Sequence, residues 1–480
     1  MSDHVDVLII GAGLSGIGAA AHLAKDLPGT TYAVLERREA SGGTWDLFRY
    51  PGVRSDSDMH TLGYRFRPWR GDVALADGAS ILAYLRDTAR EFGVDEHIRH
   101  GHHVIAADWD STTARWTVRA EVDGGTREIT ADFLWACSGY YDYDEGHTPH
   151  FEGQERFRGQ VVHPQHWPQD LDYAGKRVVV IGSGATAVTL VPAMVASGAG
   201  HVTMLQRSPT YILPVPGNDA FKRRLTSVAG ERTSYAVTRW KNVAVQSALY
   251  QLSRRRPALV RGLVRKANVA LLPPGYAVDT HFNPTYDPWD QRMCLVPDGD
   301  LFHALKRGQA EVVTDRIRTF TETGLELESG AHLDADIVVT ATGLNLRIFG
   351  GATLSVDGEV VDPASTMAYR AMMLSGVPNF AFTIGYTNAS WTLKADLVAE
   401  YVVRVLSRLR STGTRSVVPV RDPSVEEVPL MDFDAGYVQR VVHTLPRQGT
   451  RAPWALKQNY LHDALALRRA KLDDGVLRWS

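Results

Sequence analysis

Cysteine is scarce: the 480 residues hold two, Cys137 and Cys294. Two thiols close at most one disulfide, which excludes a stapled secreted scaffold and makes a reducing, cytoplasmic setting the expectation. Neither sign of charge dominates, since 52 Lys+Arg against 54 Asp+Glu leave −2. Without a basic excess, no nucleic-acid partner is expected. The opening Met1-Ser2-Asp3-His4 lacks the basic start of a signal peptide. Long unbroken apolar runs are also missing. Val7 to Ala24 and Val178 to Gly200 carry no formal charge, but glycines break each near its start and Pro192 interrupts the second. A membrane helix needs about 20 predominantly apolar residues, so a buried strand, a turn and a helix explain both stretches better. What the chain does have is glycine, 42 of it, and a hydrophobic fraction of 44% that suits a sizeable core. At roughly 100–200 residues per domain, its length allows two to four domains.

The glycines cluster. Val5-Asp6-Val7-Leu8-Ile9-Ile10 runs into Gly11-Ala12-Gly13-Leu14-Ser15-Gly16 and then an alanine-rich stretch to Ala24. That is a strand, a G-x-G-x-x-G turn and a helix, the arrangement that brings backbone and a helix N-terminus up to a pyrophosphate. A second strand, Thr31 to Leu35, ends in Glu36, twenty residues after Gly16, where a carboxylate accepts from ribose hydroxyls. The plan recurs with one change. Arg177 to Ile181 leads into Gly182-Ser183-Gly184-Ala185-Thr186-Ala187, with alanine at the third glycine position. The following strand, His201 to Leu205, ends in Gln206-Arg207-Ser208 instead of an acid. A guanidinium and a hydroxyl there suit a 2′-phosphate, hence NADPH over NADH. Two different dinucleotides in one chain are implied, with FAD and NADPH the natural pair. The expected fold is α/β, with two Rossmann-like dinucleotide-binding domains and a helical insertion.

Strand-plus-turn signals at Phe133–Ala136 with Cys137-Ser138-Gly139, and at Ile337–Thr340 with Ala341-Thr342-Gly343, suit the ends of such domains. Between Phe221 and Ala270 lie twelve Lys/Arg and one acid, Glu231, in a helix-patterned insert. Contact with an anionic surface or membrane is one reading. A solvated face of a helical subdomain is preferred, because no single apolar face with flanking aromatics stands out. The stretches Trp391–Leu406 and Tyr460–Leu472 read as mostly helical. The expected division is an FAD-binding part over 1–145 and 346–480, an NADP-binding part over 146–215 and 291–345, and an insertion over 216–290. No metal site is expected.

Phe157, Gly159, His163, Trp167 and Pro168 fit the pattern F-x-G-x-x-x-H-x-x-x-W-[PD], and Gly42, Gly43, Trp45, Tyr50, Pro51, Gly52 and Asp56 fit G-G-x-W-x-x-x-x-[FY]-P-G-x-x-x-D. On these residues the chain resembles the type I Baeyer–Villiger monooxygenases, class B flavoprotein monooxygenases, over essentially its whole length. The stretches Asp46–Gly52 and Tyr386–Lys394 make it most similar to the ethionamide-activating FAD-containing group within them. The resemblance implies an enzyme in which NADPH reduces FAD, reduced flavin captures O₂ as a C4a-peroxide, and one oxygen atom enters beside a ketone carbonyl to give an ester or lactone. Oxidation of sulfides and thioamides is implied as well. It makes Arg292 the fixed cation that keeps the peroxide anionic and stabilises the oxyanion of the adduct, with Asp56 its orienting acid. Gly43, Thr44, Trp45, Asp46 and Leu47 should line FAD, with Ser15 at the pyrophosphate and Val104 at the adenine. Arg54, Ser55 and Asp56 fall where nicotinamide approaches the flavin. The turn Ser183 to Thr189, including Val188, should hold the NADP phosphates with Arg207 and Ser208. His163 is expected to couple the domains and not to titrate in catalysis. Trp391 is either a pocket residue or an ordinary buried aromatic.

Three other readings stand beside this one. An N- or S-oxygenating flavin monooxygenase would lack ketone activity, and usually has Tyr or Phe at the place of Trp167. A flavin disulfide reductase needs a Cys-x-x-Cys or equivalent pair, which Cys137 and Cys294 do not supply. A non-enzymatic nucleotide sensor would have no use for Arg292 and Asp56. Substrate identity, oligomeric state and membrane contact are not fixed by these residues.

Overall fold

The computed structural model describes residues 3–291, 293–431 and 435–480. Two sheets dominate it. The first is built around β1 (Asp3–Ile10), where Val7, Leu8 and Ile9 are fully buried. A strand apolar on both faces belongs in the middle of a sheet covered on both sides. β2 (Tyr32–Leu35) lies parallel to β1 on one side and carries β3 (Ile98–Arg99) at its edge. On the other side β1 pairs in parallel with β6 (Gly125–Ala136), from which β5 (Arg115–Val122) and β4 (His103–Asp110) continue as an antiparallel meander. The strands Thr353–Val356, Glu359–Val360 and Phe380–Phe382 complete the nine, so distant parts of the chain share one sheet. The helix α1 (Leu14–Asp26) covers one face together with helices Gly78–Glu91 and Trp391–Thr412.

The second sheet is wholly parallel. It comprises β7 (Gln160–Val162), β8 (Arg177–Ile181), β9 (His201–Gln206), β10 (Ala310–Thr314) and β11 (Ile337–Thr340), in the order β10-β9-β8-β11-β7. Its central strand, β8, has β9 on one side and β11 on the other. Ligands bind at such a switch point, outside the carboxyl ends of the strands. There the helix α2 (Ala185–Ala196) begins, with Pro192 inside it.

Between β9 and β10 the chain leaves the sheet for two helices. α3 (Ala220–Arg255) is broken by Gly230, whose φ of +74° and ψ of 167° are not helical. α4 (Pro257–Leu271) starts with proline in its first turn, where a missing N–H costs nothing. Although this insert interrupts the second sheet, it is fastened to the first half of the molecule. Asn242 Nδ2 and Gln246 Nε2 donate to the Asp58 carboxylate at 2.8 and 2.7 Å. The buried Arg239 guanidinium donates to the His60 and Gly63 carbonyls at 2.6 and 2.8 Å. No helix among the described residues is long and apolar enough to cross a membrane.

Candidate functional site

Both glycine turns open into one cavity of about 1000 Å³. At the first turn Gly11 has φ +98°, and a Cβ there would stand 2.9 Å from the Cys137 carbonyl oxygen. Gly16 is tighter: a Cβ would meet the Gly11 carbonyl oxygen at 1.8 Å. Turn and helix can therefore meet only through glycine. The Ala12 and Arg38 N–H groups donate to the two Glu36 oxygens, at 2.7 and 2.9 Å. Each oxygen keeps a lone pair for a ribose hydroxyl. Burial pushes the Glu36 carboxyl above its ordinary range, and those two N–H donors work against the rise. Trp391 Nε1 donates to Ser15 Oγ at 2.8 Å, which leaves the Ser15 hydroxyl hydrogen for a phosphate oxygen.

The segment 42–56 forms the next wall. Gly43, at φ +57°, packs against Gly13, where an added Cβ would sit 2.9 Å from its Cα. Thr44 Oγ1 lies 3.2 Å from the Tyr143 hydroxyl, and burial pushes that phenol up to about 12. Trp45, Arg54, Ser55, Asp56 and, from β4, Val104 line the cavity. Arg54 Nη1 donates to Asp300 Oδ2 at 2.6 Å across the two halves, while its buried Nη2 has no hydrogen-bond partner. Asp56 lies close enough to Tyr50 that its charge, after burial, helps to push the phenol up. Asp46 and Leu47 point elsewhere. The buried Asp46 carboxylate is held by Arg38, Arg49 and Arg86 at 2.5, 2.7 and 2.9 Å and stands outside the cavity lining, as does Leu47.

At the second turn Gly182, with φ +136°, would bring a Cβ within 2.4 Å of the Ala341 carbonyl oxygen, whereas a Cβ on Gly184 would meet nothing within 4 Å. Ser183, Ala185 and Thr186 line the cavity, and Ala187, Val188 and Thr189 are buried beneath the turn. Gly16 likewise lies under its own turn, outside the lining. Arg207 and Ser208 are exposed on the rim, and Arg207 has no ion-pair partner among the described residues. The register of β9 against β10, Gln206 opposite Thr314, sets them beside Asp315 and Arg316, which also line the cavity. Sequence reasoning passed over these two residues and Tyr140, Tyr141 and Tyr143. The tyrosine run directly after the Cys137-Ser138-Gly139 turn was the available signal.

Arg292 lies outside the described residues; Gln291 and Cys294 on either side of it line the cavity. His163 does not line it. Its ring packs on Gly146, where a Cβ would come within 2.0 Å, and its Nε2 faces the Gly343 carbonyl at 3.2 Å while Nδ1 accepts from the Gln165 N–H. With Nδ1 accepting, Nε2 carries the hydrogen. Burial first of all pushes the ring's pKa below its ordinary value, which suits a neutral, bridging imidazole. Both cysteines are buried and neither is in a disulfide, and burial pushes the Cys137 thiol up to about 12.

The structure thus tests whether dinucleotides fit. Gly11, Gly13 and Gly43 leave a cradle that side chains would fill, Glu36 keeps acceptor capacity, Gly184 faces open space, and Arg54 holds an unspent buried donor. These features suit two dinucleotides meeting in one cavity, with no dithiol beside them. Such a fold and site define a flavoprotein of the two-dinucleotide class. The sequence model for flavin-binding monooxygenase-like proteins matches residues 5–240. The chain is 56% identical to the FAD-containing monooxygenase EthA of Mycobacterium tuberculosis (strain ATCC 25618 / H37Rv), over 100% of this chain and 98% of that one. It is 49% identical to the probable FAD-binding monooxygenase AlmA of Acinetobacter baylyi, over 100% and 97%. Among solved structures it is similar to an oxidized steroid monooxygenase bound to NADP, with a TM-score of 0.73 and 26% identity over 87% of this chain and 88% of that one. The chain belongs to the family of FAD-containing monooxygenases.

Proposed function

We propose that the protein is an NADPH-dependent Baeyer–Villiger monooxygenase that inserts one atom of O₂ beside a ketone carbonyl, and that it also oxidises sulfides and thioamides. The observation that carries this reading is the single cavity onto which both glycine turns open, with Arg54, Ser55 and Asp56 between them. FAD, when bound and reduced by NADPH, supplies the activated oxygen. The chain's own residues do the rest. The first turn with Ser15 and Glu36 fixes one dinucleotide, and the second with Arg207 and Ser208 fixes the other. Arg54 and Ser55 position the reducing end of NADPH. Arg292 is the cation at the reacting carbonyl: a guanidinium keeps its charge when partly buried and stabilises an oxyanion as it forms. Asp56 orients it. The FAD-binding part comprises 1–145 and 346–480, the NADP-binding part 146–215 and 291–345, and the insertion 216–290. Dependence on NADPH and two buried thiols outside any disulfide suit the cytoplasm.

The test supplies NADPH, ¹⁸O₂ and a panel of ketones and sulfides, then measures products by mass spectrometry. An ester or lactone carrying one labelled oxygen per NADPH consumed is expected. Sulfoxide without ester across varied ketones would instead make the protein an N- or S-oxygenating flavin monooxygenase. Arg292→Ala is expected to keep NADPH-driven flavin reduction and lose ester formation at least a hundredfold, in line with loss of an oxyanion-stabilising group at about 10²–10³. Retained ester yield would remove Arg292 from this role.

A further inference from the structure

The insert helix α3 is amphipathic the wrong way round. Its polar stripe, Tyr235, Arg239, Asn242 and Gln246, faces the protein and bonds to His60, Gly63 and Asp58. Its outward stripe, Val237, Trp240, Ala244, Ala248 and Leu252, recurs every three or four residues without a charge and is exposed throughout, with Val245 beside it at 59% exposure. On α4, Leu259 and Leu263 repeat the pattern at 53% and 55% exposure. Of the thirteen large apolar side chains exposed among the described residues, nine lie between Phe221 and Val269. Scattered single exposures would need no explanation, but a concentration of this kind marks an interaction surface.

Charge around the stripe says what covers it. Glu231, the one acid of the stretch, is spent on the buried Lys222 at 2.6 Å. Arg239 bonds inward, and Lys241, Arg254, Arg261 and Arg265 each pair with an aspartate outside it. Arg223, Arg224, Arg232, Arg255, Arg256 and Lys266 remain without an ion-pair partner among the described residues, and all six are exposed. We infer that the face of α3 and α4 docks on an anionic lipid surface. The apolar stripe sits in the headgroup boundary and the unpaired cations lie over lipid phosphates. The stripe is a convex helix face and not a groove, which a bilayer accommodates. A second copy of the chain, presenting the same face, would bring like charges together.

The test uses the FAD-loaded enzyme in sedimentation with phosphatidylcholine vesicles and with vesicles that also contain phosphatidylglycerol. Binding to the mixed vesicles only, weakening as salt screens the charges, is expected. Arg255→Gln, Arg256→Gln and Lys266→Gln together should lower partitioning about a hundredfold, at roughly fivefold per cation lost near such a surface. Val245→Ser with Leu263→Ser should weaken it at all salt concentrations. Both variants should oxidise NADPH in free solution at the parent rate. No sedimentation with anionic vesicles at low salt, equal binding to neutral ones, or indifference to both variants would overturn the inference. So would a dimer in free solution that Val245→Ser with Leu263→Ser breaks without any vesicle binding, which assigns the face to a second copy. Equal capture by polyglutamate, insensitive to those serines, would assign it to an acidic polypeptide.

Discussion

Gly16 and Gly184 are both fingerprint glycines, yet they do different things. A methyl on Gly16 has nowhere to go, because the Gly11 carbonyl oxygen lies 1.8 Å from where it would sit. A methyl on Gly184 meets no protein atom within 4 Å at an ordinary φ of −77°. Gly16→Ala should therefore yield protein without flavin absorbance. Gly184→Ala should fold and hold FAD but show a raised KM for NADPH, since its methyl enters the space left for the pyrophosphate. Steady-state kinetics with flavin spectra separate the two. At Arg207 the expectation concerns preference. Removing a charged donor to a 2′-phosphate costs about 1.5–3 kcal/mol, roughly 10- to 150-fold. Arg207→Ala should lose that much kcat/KM with NADPH and little with NADH. Equal losses with both coenzymes would show that Arg207 does not read the phosphate.

At the scale of elements, the strands and turns were legible because their signal is local. A continuous apolar run ending in glycines can do little else, and Ile337–Thr340 is a strand with those same bounds. The anchoring of the insert was not legible. Arg239, Asn242 and Gln246 lie in the basic stretch whose pattern suits a solvated helical face, and only the positions of His60 and Asp58 in space show that these three point inward. Nor could sequence show that Asp46 serves three arginines. Asp58 also sets a pH dependence. Burial pushes its carboxyl up, but hydrogen bonds involving His60, Thr61 and Asn242 outweigh this and hold it below its ordinary value. A depressed carboxyl stabilises the fold at pH values above the ordinary carboxyl range and loses that contribution as pH falls through the lowered folded value. At pH 7 the contribution is fully present. Asp58→Asn should cost about 1–3 kcal/mol at pH 7, the range for disturbing buried hydrogen-bonded groups. The penalty should shrink on acidification in chemical denaturation, and a pH-independent difference would show that the charge is not what matters.

Across the whole molecule the halves are tied at several places, among them Arg54 to Asp300, the insert to Asp58, and Gly52 against α2, where a Cβ would stand 2.6 Å from the Ala193 Cβ. Unfolding of one half removes partners from the other. Calorimetry of the FAD-loaded protein should accordingly show one transition, and NADP at about a hundred times its Kd should raise stability by about 2.7 kcal/mol and move that transition as a unit. Two separated transitions, with NADP shifting only one, would mean that the ties contribute little.

The discontinuous first sheet bears on how the protein is made. A chain leaving the ribosome has β1 to β6 in hand by Ala136, yet the strands Thr353–Val356 and Phe380–Phe382 and the helix Trp391–Thr412, which packs on α1, emerge hundreds of residues later. The second sheet lies entirely between Gln160 and Thr340. Domains tend to fold as units during synthesis, N-terminal ones first; here that order is reversed. The later-encoded sheet is complete while the earlier one still waits for its edge and its covering helix. Trp391, whose indole donates to Ser15, is made after the whole second sheet, so the first glycine turn gains that partner only once the second sheet has been synthesised.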